Sequence, residues 1–180
     1  ADERGLAQLV APFDDPRVRE ALKLVVDRQA MVDTVLLGFG QPGADNPVPV
    51  GSPASFTKEA PKQDIEKAKA LLAEAGYKDG LKFDLYTAEG VPGMVRMAQV
   101  YAEMAKAAGI EINVIVTPAE SYWDDVWLKK PIVTSAWSIT KPWPPDASRH
   151  GVSPTAQSTS AITPHERHTT WWWLSPTRTS

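Results

Sequence analysis

Two small groups of side chains have residue types suited to chemistry. Asp124 and Asp125 are adjacent carboxylates, but neighbouring residues on a helix do not face each other, and acid–base pairs need carboxyl groups that converge in a cleft. His165 and His168 are three residues apart in "HERH". They could contact one metal ion on a helix, yet the spacing of zinc proteases is absent and the surrounding sequence has no helical pattern. We assign neither group a catalytic or metal-binding role.

Composition narrows the function further. The 180 residues include no cysteine, which excludes a disulfide framework, a thiolate nucleophile and a cysteine-bound zinc. No glycine-rich phosphate loop or Ser-His-Asp context is present, so we predict neither an enzyme nor a cofactor. The net charge is -3 and no basic run occurs, so we expect no nucleic-acid partner. The first residues lack the pattern of a signal peptide, and no run of eighteen apolar residues suggests a membrane span.

The first third of the chain predicts a pair of helices. Asp14 or Asp15 can cap the first helix, with Pro16 in its first turn. Asp27 can cap the second, which Gly38 can end in a left-handed conformation. Prolines and glycines between residues 38 and 61 then predict a non-helical crossing or loop.

The middle of the chain alternates between helix and strand. A helix predicted from Asp64 to Gly76 is followed by alternating apolar residues from Leu81, the pattern of a strand. A further helix ends at Gly109, and three more elements follow: the strand "IEINVIVTP", an amphipathic turn and the strand "PIVTSAWS". Short connections between alternating elements predict an α/β fold with a mostly parallel sheet flanked by helices. Trp123 and Trp127 in the turn are four apart, so we expect them to share a helix face that packs on the sheet.

From residue 139 the periodic pattern is lost, and we expect an irregular tail over residues 139–180. Its run of three tryptophans would be exposed in a soluble domain, which is rare. Since tryptophan has a single codon, the same bases read one position earlier encode Leu, Met or Val followed by two valines. Two explanations stay open, a disordered tail and a frameshift after Trp137. Sequencing an intact ancestral gene that encodes the same tail would exclude the second.

Three segments in order resemble one protein family. They are "APFDDPRVREALKLVVDRQAMVDTVLLGFGQPGADNPVP", "DIEKAKALLAEAGYKDGLKFDLYT" and "MAQVYAEMAKAAGIEINVIV". Together they resemble the extracytoplasmic solute-binding proteins of peptide-type ABC importers, which include dipeptide-, oligopeptide- and nickel-binding proteins. The resemblance implies a periplasmic-binding-protein-like fold in which residues 1–138 form part of the second, carboxy-terminal lobe.

The resemblance also implies a mechanism and partners. In this family a small solute or short peptide is trapped between two hinged lobes, and a membrane permease recognises the closed form. The location implied is periplasmic or extracytoplasmic. A single lobe supplies part of the contacts and cannot exclude water, so we expect no tight ligand binding by this chain alone.

Four residues are candidates for ligand contact by this resemblance. Trp137 occupies the strand-end position where peptide-binding relatives have a pocket tryptophan, although a core aromatic is an equal alternative. Relatives often have an aspartate three residues later for the peptide amino group, where this chain has Thr140. Asp146 could replace it, although a solvated loop residue is the more common outcome. Arg96 is a surface helix residue first and a carboxylate clamp second.

Three interpretations stay open at this point: a ligand-binding lobe of an importer receptor, a nonfunctional remnant of one, and an interaction module that uses the tryptophans of the tail.

Overall fold

The computed structural model describes residues 11–45, 59–127, 129–137, 159–164 and 171–175. For residues 136, 137, 159–164 and 171–175 it describes the backbone alone. None of the helices within these ranges is both long and apolar enough to cross a membrane.

Three of the helices begin at an aspartate cap, as the sequence predicts. In α1 (Pro16–Leu24) and α2 (Arg28–Val35), the carboxylates of Asp15 and Asp27 accept backbone N–H bonds of 2.8 and 3.0 Å. In α3 (Ile65–Glu74), Asp64 accepts from the N–H of Lys67 over 2.9 Å. Each cap satisfies a backbone donor that the helix itself leaves free, which fixes where the helix starts.

The central elements form a parallel unit. Strand β2 (Leu81–Ala88), helix α4 (Met94–Lys106) and strand β3 (Ile110–Thr117) follow one another, and β2 pairs with β3 from Leu81–Ile110 to Ala88–Thr117. A short helix α5 (Ala119–Ser121) and a π-helical turn (Tyr122–Val126) lead to strand β4 (Ile132–Trp137). Strand β4 pairs in parallel with β2 on the side opposite β3, which confirms the predicted α/β fold.

The rest of the sheet is antiparallel. Strands β5 (Thr159–Pro164) and β6 (Trp171–Ser175) and the two-residue β1 (Gln41–Pro42) complete the order β1-β6-β5-β4-β2-β3. Strand β5 pairs with β4 over six positions, from Ile132–Pro164 to Trp137–Thr159. The tail predicted to be irregular therefore contains two strands, because the backbone groups of β4 accept a partner that has no strict apolar alternation.

The main core lies between the helices and one face of the sheet. It includes Leu22 on α1, Leu72 on α3, Tyr101 on α4 and the inward side chains of β2 and β3. Tyr101 is fully buried, and its hydroxyl donates to the carbonyl oxygen of Leu22 over 3.2 Å. The other face of β2 and β3 is polar and exposed in its first half, with Lys82 and Glu111 paired over 2.6 Å. The alternation along β2 is therefore the one that the sequence predicts.

A buried ion pair fixes the chain after α2. Arg28 and Asp45 are 2 and 10% exposed and lie 2.7 Å apart. The Arg28 guanidinium also donates to the carbonyl oxygens of Lys23 and Pro61. Burial raises the pKa of the Asp45 carboxyl, and the charge and hydrogen bonds of Arg28 oppose that rise. The pair holds residues 41–45 and 61 against the end of α1.

Candidate functional site

The carboxyl edge of the parallel strands is the natural place for a site. From β2 the chain goes to β3 on one side, and it then returns to β4 on the other side of β2. In open α/β sheets, ligands bind outside the carboxyl ends of strands where the order reverses in this way. The boundary between β2 and β4, here called the seam, is that point of reversal.

Side-chain hydrogen bonds add to a short backbone pairing in the seam. Among the described residues, the only registered pair between β2 and β4 is Tyr86 with Val133. One residue further along each strand, the hydroxyl of Thr134 donates to the hydroxyl of Thr87 over 2.8 Å, and both side chains are fully buried. The hydroxyl of Tyr122 donates to the carbonyl oxygen of Thr134. The backbone of β4 is thus held by hydroxyl groups at this point.

Two further hydroxyls lie at the same edge. The Thr117 hydroxyl on β3 donates to the carbonyl oxygen of Thr87 over 2.9 Å. Ser135 is fully buried, and its hydroxyl has no hydrogen-bond partner among the described residues. An uncompensated buried hydroxyl is uncommon in folded proteins. The sequence-based reasoning missed these residues; the one available signal was a run of hydroxyl residues inside an otherwise apolar strand.

An aromatic group packs beside the seam. Tyr122 contacts Trp123 edge-on at 5.2 Å between ring centroids, and Trp123 contacts Trp127 at 5.6 Å. Tyr122 is buried, and Trp127 is partly buried against the cluster that includes Val133, whereas Trp123 is 45% exposed. The predicted packing on the sheet therefore holds for Trp127 and not for most of Trp123, because the turn is π-helical rather than α-helical and changes the angle between successive side chains.

One tyrosine and one lysine contribute to the electrostatics of this edge. Burial raises the pKa of the Tyr122 hydroxyl well above its usual value, and the bond to Thr134 only partly opposes this rise. Tyr122 therefore stays a neutral donor. The ammonium of Lys130 lies 5.1 Å from the centre of the Tyr86 ring, a cation–π contact.

Helix α4 presents an uncapped amino terminus here. Its N-cap is Gly93, in a left-handed conformation with φ 87°, and no side chain of the described residues caps it. The first turn has no acidic residue, and Arg96 in that turn is exposed. Met94, the first residue of α4, belongs to the same buried cluster as Ala88, the last residue of β2, and Val133, the second residue of β4. The positive end of the α4 dipole therefore lies near the seam.

The four predicted contact residues have different outcomes. Trp137 ends β4, as predicted, and its side chain is outside what the structure describes. Since β2 runs two residues beyond Tyr86 and β4 runs four beyond Val133, Trp137 extends past the end of β2. Arg96 is exposed on α4, which agrees with its interpretation as a surface residue. Thr140 and Asp146 lie outside the described residues.

Of the two groups set aside for catalysis, the structure describes only the pair of aspartates. Asp124 and Asp125 are both exposed in the π-helical turn, and His165 and His168 are outside the described residues. Within the part of the chain that the structure describes, no three His, Cys, Asp or Glu side chains are grouped closely enough to hold a metal ion.

A match to a protein-family model identifies the family of this chain. The model described as bacterial extracellular solute-binding proteins, family 5 Middle, matches residues 5–159. The chain belongs to this family. Among its curated relatives, the nickel-binding protein NikA of Staphylococcus aureus is 38% identical over 128 residues, which are 68% of this chain and 24% of NikA. The heme-binding protein A of Haemophilus influenzae is 36% identical over 117 residues, 64% of this chain and 21% of that protein.

Solved structures support the fold of this family 5 chain. A dipeptide-binding protein from Pseudoalteromonas, crystallised with Met-Leu, is 25% identical with a TM-score of 0.56. The match covers 65% of this chain and 24% of that protein. This family 5 chain therefore spans less than a quarter of the length of each of these three relatives.

Proposed function

We propose that this chain is part of the substrate-binding component of an ABC importer, and that it captures short peptides or related small solutes for import. The observation that supports this function is the match of the family model over residues 5–159. Three relatives are named for binding nickel, heme or a dipeptide. The simplest function that these three have in common is to bind a small solute without catalysis. The proposed location is periplasmic or extracytoplasmic, and the proposed partner is a membrane permease.

The proposed role of residues 1–138 is one lobe of a two-lobed clamp. The carboxyl edge of the sheet would form one wall of the pocket, with Trp137 as a stacking surface at the end of β4. Arg96 on the first turn of α4 would attract a carboxylate by charge. Thr140 and Asp146 would offer a hydroxyl and a carboxylate to the amino group of a peptide. Closure against a second lobe would exclude water and strengthen these contacts.

A titration followed by NMR tests this function. The ¹⁵N-labelled 180-residue chain is titrated separately with dialanine, a nickel–histidine complex and heme. We expect millimolar binding of at least one probe, because one lobe supplies only part of the contacts. Shifts should concentrate at Ala88, Thr117 and the indole N–H of Trp137.

Two variants separate pocket from surface effects. Trp137→Ala should weaken binding of every probe that binds the parent chain. Tyr77→Ala, just before β2 at the opposite edge of the sheet, should leave binding unchanged. Shifts confined to other regions would contradict the proposed site. Micromolar binding measured by calorimetry would contradict the proposal that the chain supplies only one lobe.

A further inference from the structure

The two ends of the described sheet differ in how they are protected from other chains. At one end lies β1 (Gln41–Pro42), which is very short and includes a proline without a backbone N–H. At the other end lies β3 (Ile110–Thr117), which has 8 residues with no proline and no basic side chain. Edge strands are commonly blunted by shortness, proline, lysine or a bulge. Strand β3 has none of these features, since its pairing with β2 runs from end to end without a shift in register.

One hydrogen bond shows which backbone groups of β3 point outward. The N–H of Leu81 donates to the carbonyl oxygen of Gly109 over 3.2 Å, so the backbone of Gly109 is directed toward β2. Successive residues of a strand direct their backbone groups to opposite sides in turn. The residues of β3 whose N–H and C=O groups point away from β2 are therefore Ile110, Ile112, Val114 and Val116. The described part of the chain has no strand beyond them.

The side chains along this edge favour an apolar partner strand. Val116 is on the same face of β3 as the buried Ile110 and Ile112, yet it is 47% exposed. On the other face, the one charged residue of the strand, Glu111, is neutralised by Lys82 of the same chain over 2.6 Å. An exposed apolar side chain beside outward-pointing backbone groups is a surface that another strand can cover.

Strand β3 itself has the properties of such a partner. When two copies of β3 lie antiparallel about a two-fold axis at Asn113, each outward-pointing residue of one copy meets an outward-pointing residue of the other. Their N–H and C=O groups can then form the alternating bonds of an antiparallel pair. In this register Val116 lies beside Ile110 of the second copy, and Ile112 lies beside Val114. The exposed apolar side chain is thus covered by an apolar side chain.

The polar face is also compatible with this register. Each Glu111 lies beside Ile115 of the second copy, so the two carboxylates are not opposite each other. Like charges directly opposite one another would destabilise a strand pair, and this arrangement avoids them. At the axis, Asn113 lies beside its own copy, where two amide groups can exchange hydrogen bonds. The strand is therefore self-complementary in backbone, apolar contact and charge.

We propose that β3 is a docking edge for a second copy of this chain, and that the two β3 strands pair antiparallel about Asn113 to join two sheets into one. This inference goes beyond the proposed function and does not depend on the cargo. One pair of strands forms a smaller interface than that of a stable dimer. The association is therefore weak and depends on protein concentration.

Sedimentation equilibrium of the 180-residue chain tests the association. Between about 10 µM and about 1 mM, the measured mass should rise from that of one chain toward that of two. Val116→Lys adds a charge at the pairing edge and should keep the mass of one chain throughout. Because Val116 is partly exposed, the variant should melt at the same temperature as the parent. Phe39→Lys is the matched control, since it adds the same charge at an exposed apolar residue outside the sheet, and it should associate as the parent does.

Disulfide formation tests the register. The chain has no cysteine, so a single introduced cysteine gives one defined product. Cα atoms in a non-hydrogen-bonded antiparallel pair are about 4.5 Å apart, which is within the range of about 4.4–6.8 Å that a disulfide spans. Asn113→Cys should therefore oxidise to a covalent dimer at least about tenfold faster than Lys82→Cys. Lys82 is the matched control because it is exposed on the same face, one strand further from the edge.

Each result supports or overturns the proposal. A parent chain that keeps the mass of one chain at every concentration overturns it. Association of Val116→Lys equal to that of the parent also overturns it, because the contact would then lie on another surface. Equal rates of disulfide formation in Asn113→Cys and Lys82→Cys exclude the pairing about Asn113, and the proposal with it.

Discussion

The hydroxyl of Thr134 donates a hydrogen bond of 2.8 Å to the hydroxyl of Thr87, and the two residues are 47 positions apart in the chain. This bond joins β2 to β4 one residue beyond the single backbone pair registered between them in the described part of the chain. Both side chains are fully buried. On its β2 side, β4 is therefore positioned by hydroxyl groups in addition to this single backbone pair, while on its other side it pairs with β5 over six positions.

Removing both members of this pair should cost less than the sum of the two single removals. Thr134→Val keeps the shape of the side chain but leaves the Thr87 hydroxyl without its donor, so we expect a loss of about 1–3 kcal/mol in the free energy of unfolding. The double variant Thr87→Val with Thr134→Val should lose less than the sum of the two single variants. Urea denaturation of all four proteins measures this coupling, and strictly additive losses would contradict it.

The hydroxyl of Tyr122 should stabilise β4. In Tyr122→Phe the carbonyl oxygen of Thr134 loses a buried donor, and we expect a loss of about 1–2 kcal/mol in the free energy of unfolding. The matched control is Tyr77→Phe, whose hydroxyl makes no hydrogen bond to the residues that the structure describes and should be nearly silent. Urea melts of both variants, with the Trp137 indole signal followed by NMR, compare them. Equal losses would show that the hydroxyl bond has no special role.

The buried ion pair should contribute far more to the free energy of unfolding than an exposed ion pair does. Asp45→Asn leaves the Arg28 guanidinium charged and without its anion at a site where Arg28 is 2% exposed. We expect a loss of about 3–5 kcal/mol in unfolding free energy. Glu111→Gln breaks the exposed pair with Lys82 and should leave the melting temperature nearly unchanged. Calorimetric melting of both variants tests this difference in stability. Similar melting temperatures of the two variants would contradict the prediction.

Acid should weaken the start of α1. Hydrogen bonds from the Arg17 side chain, followed by the Arg17 backbone N–H, lower the pKa of Asp15 from its usual 3.8 to about 2. A carboxyl with a lowered pKa in the folded state stabilises the fold above its unfolded pKa, and this contribution is lost as the pH falls from about 4 to about 2.

Asp15→Asn should therefore reduce the fall in melting temperature over this pH range. Thermal melts at half-unit pH steps provide the measurement. Asp79→Asn, an exposed aspartate in the turn before β2, is the control and should follow the parent curve. An Asp15→Asn curve parallel to the parent would contradict the role of the carboxylate.

Strand β5 should contribute to stability although its sequence has no regular apolar pattern. Ile162 pairs with Thr134 on one side and Trp171 on the other, so Ile162→Pro removes an N–H and strains a strand paired on both sides. We expect a lower melting temperature and faster proteolysis within residues 159–175. Thr179→Pro, four residues beyond the end of β6 in the chain, is the control, and identical digestion of the two variants would exclude the pairing.

The local elements of this protein followed from its sequence, for physical reasons that act over a few residues. Asp15, Asp27 and Asp64 cap helices because a short carboxylate reaches backbone N–H groups two or three positions away. Alternation from Leu81 onward predicted β2 because a strand buries one face.

Only the tertiary structure brought Thr87, Thr134 and Ser135 together at the seam. Their spacing in the chain has no period, and a hydroxyl inside an apolar strand looks the same in sequence whether it is paired or not. The pairing of β5 with β4 was equally hidden, since a strand is selected by the unpaired backbone of its neighbour as much as by its own side chains. Helix caps and strand alternation depend on neighbours along the chain, whereas the pocket edge depends on neighbours across the sheet.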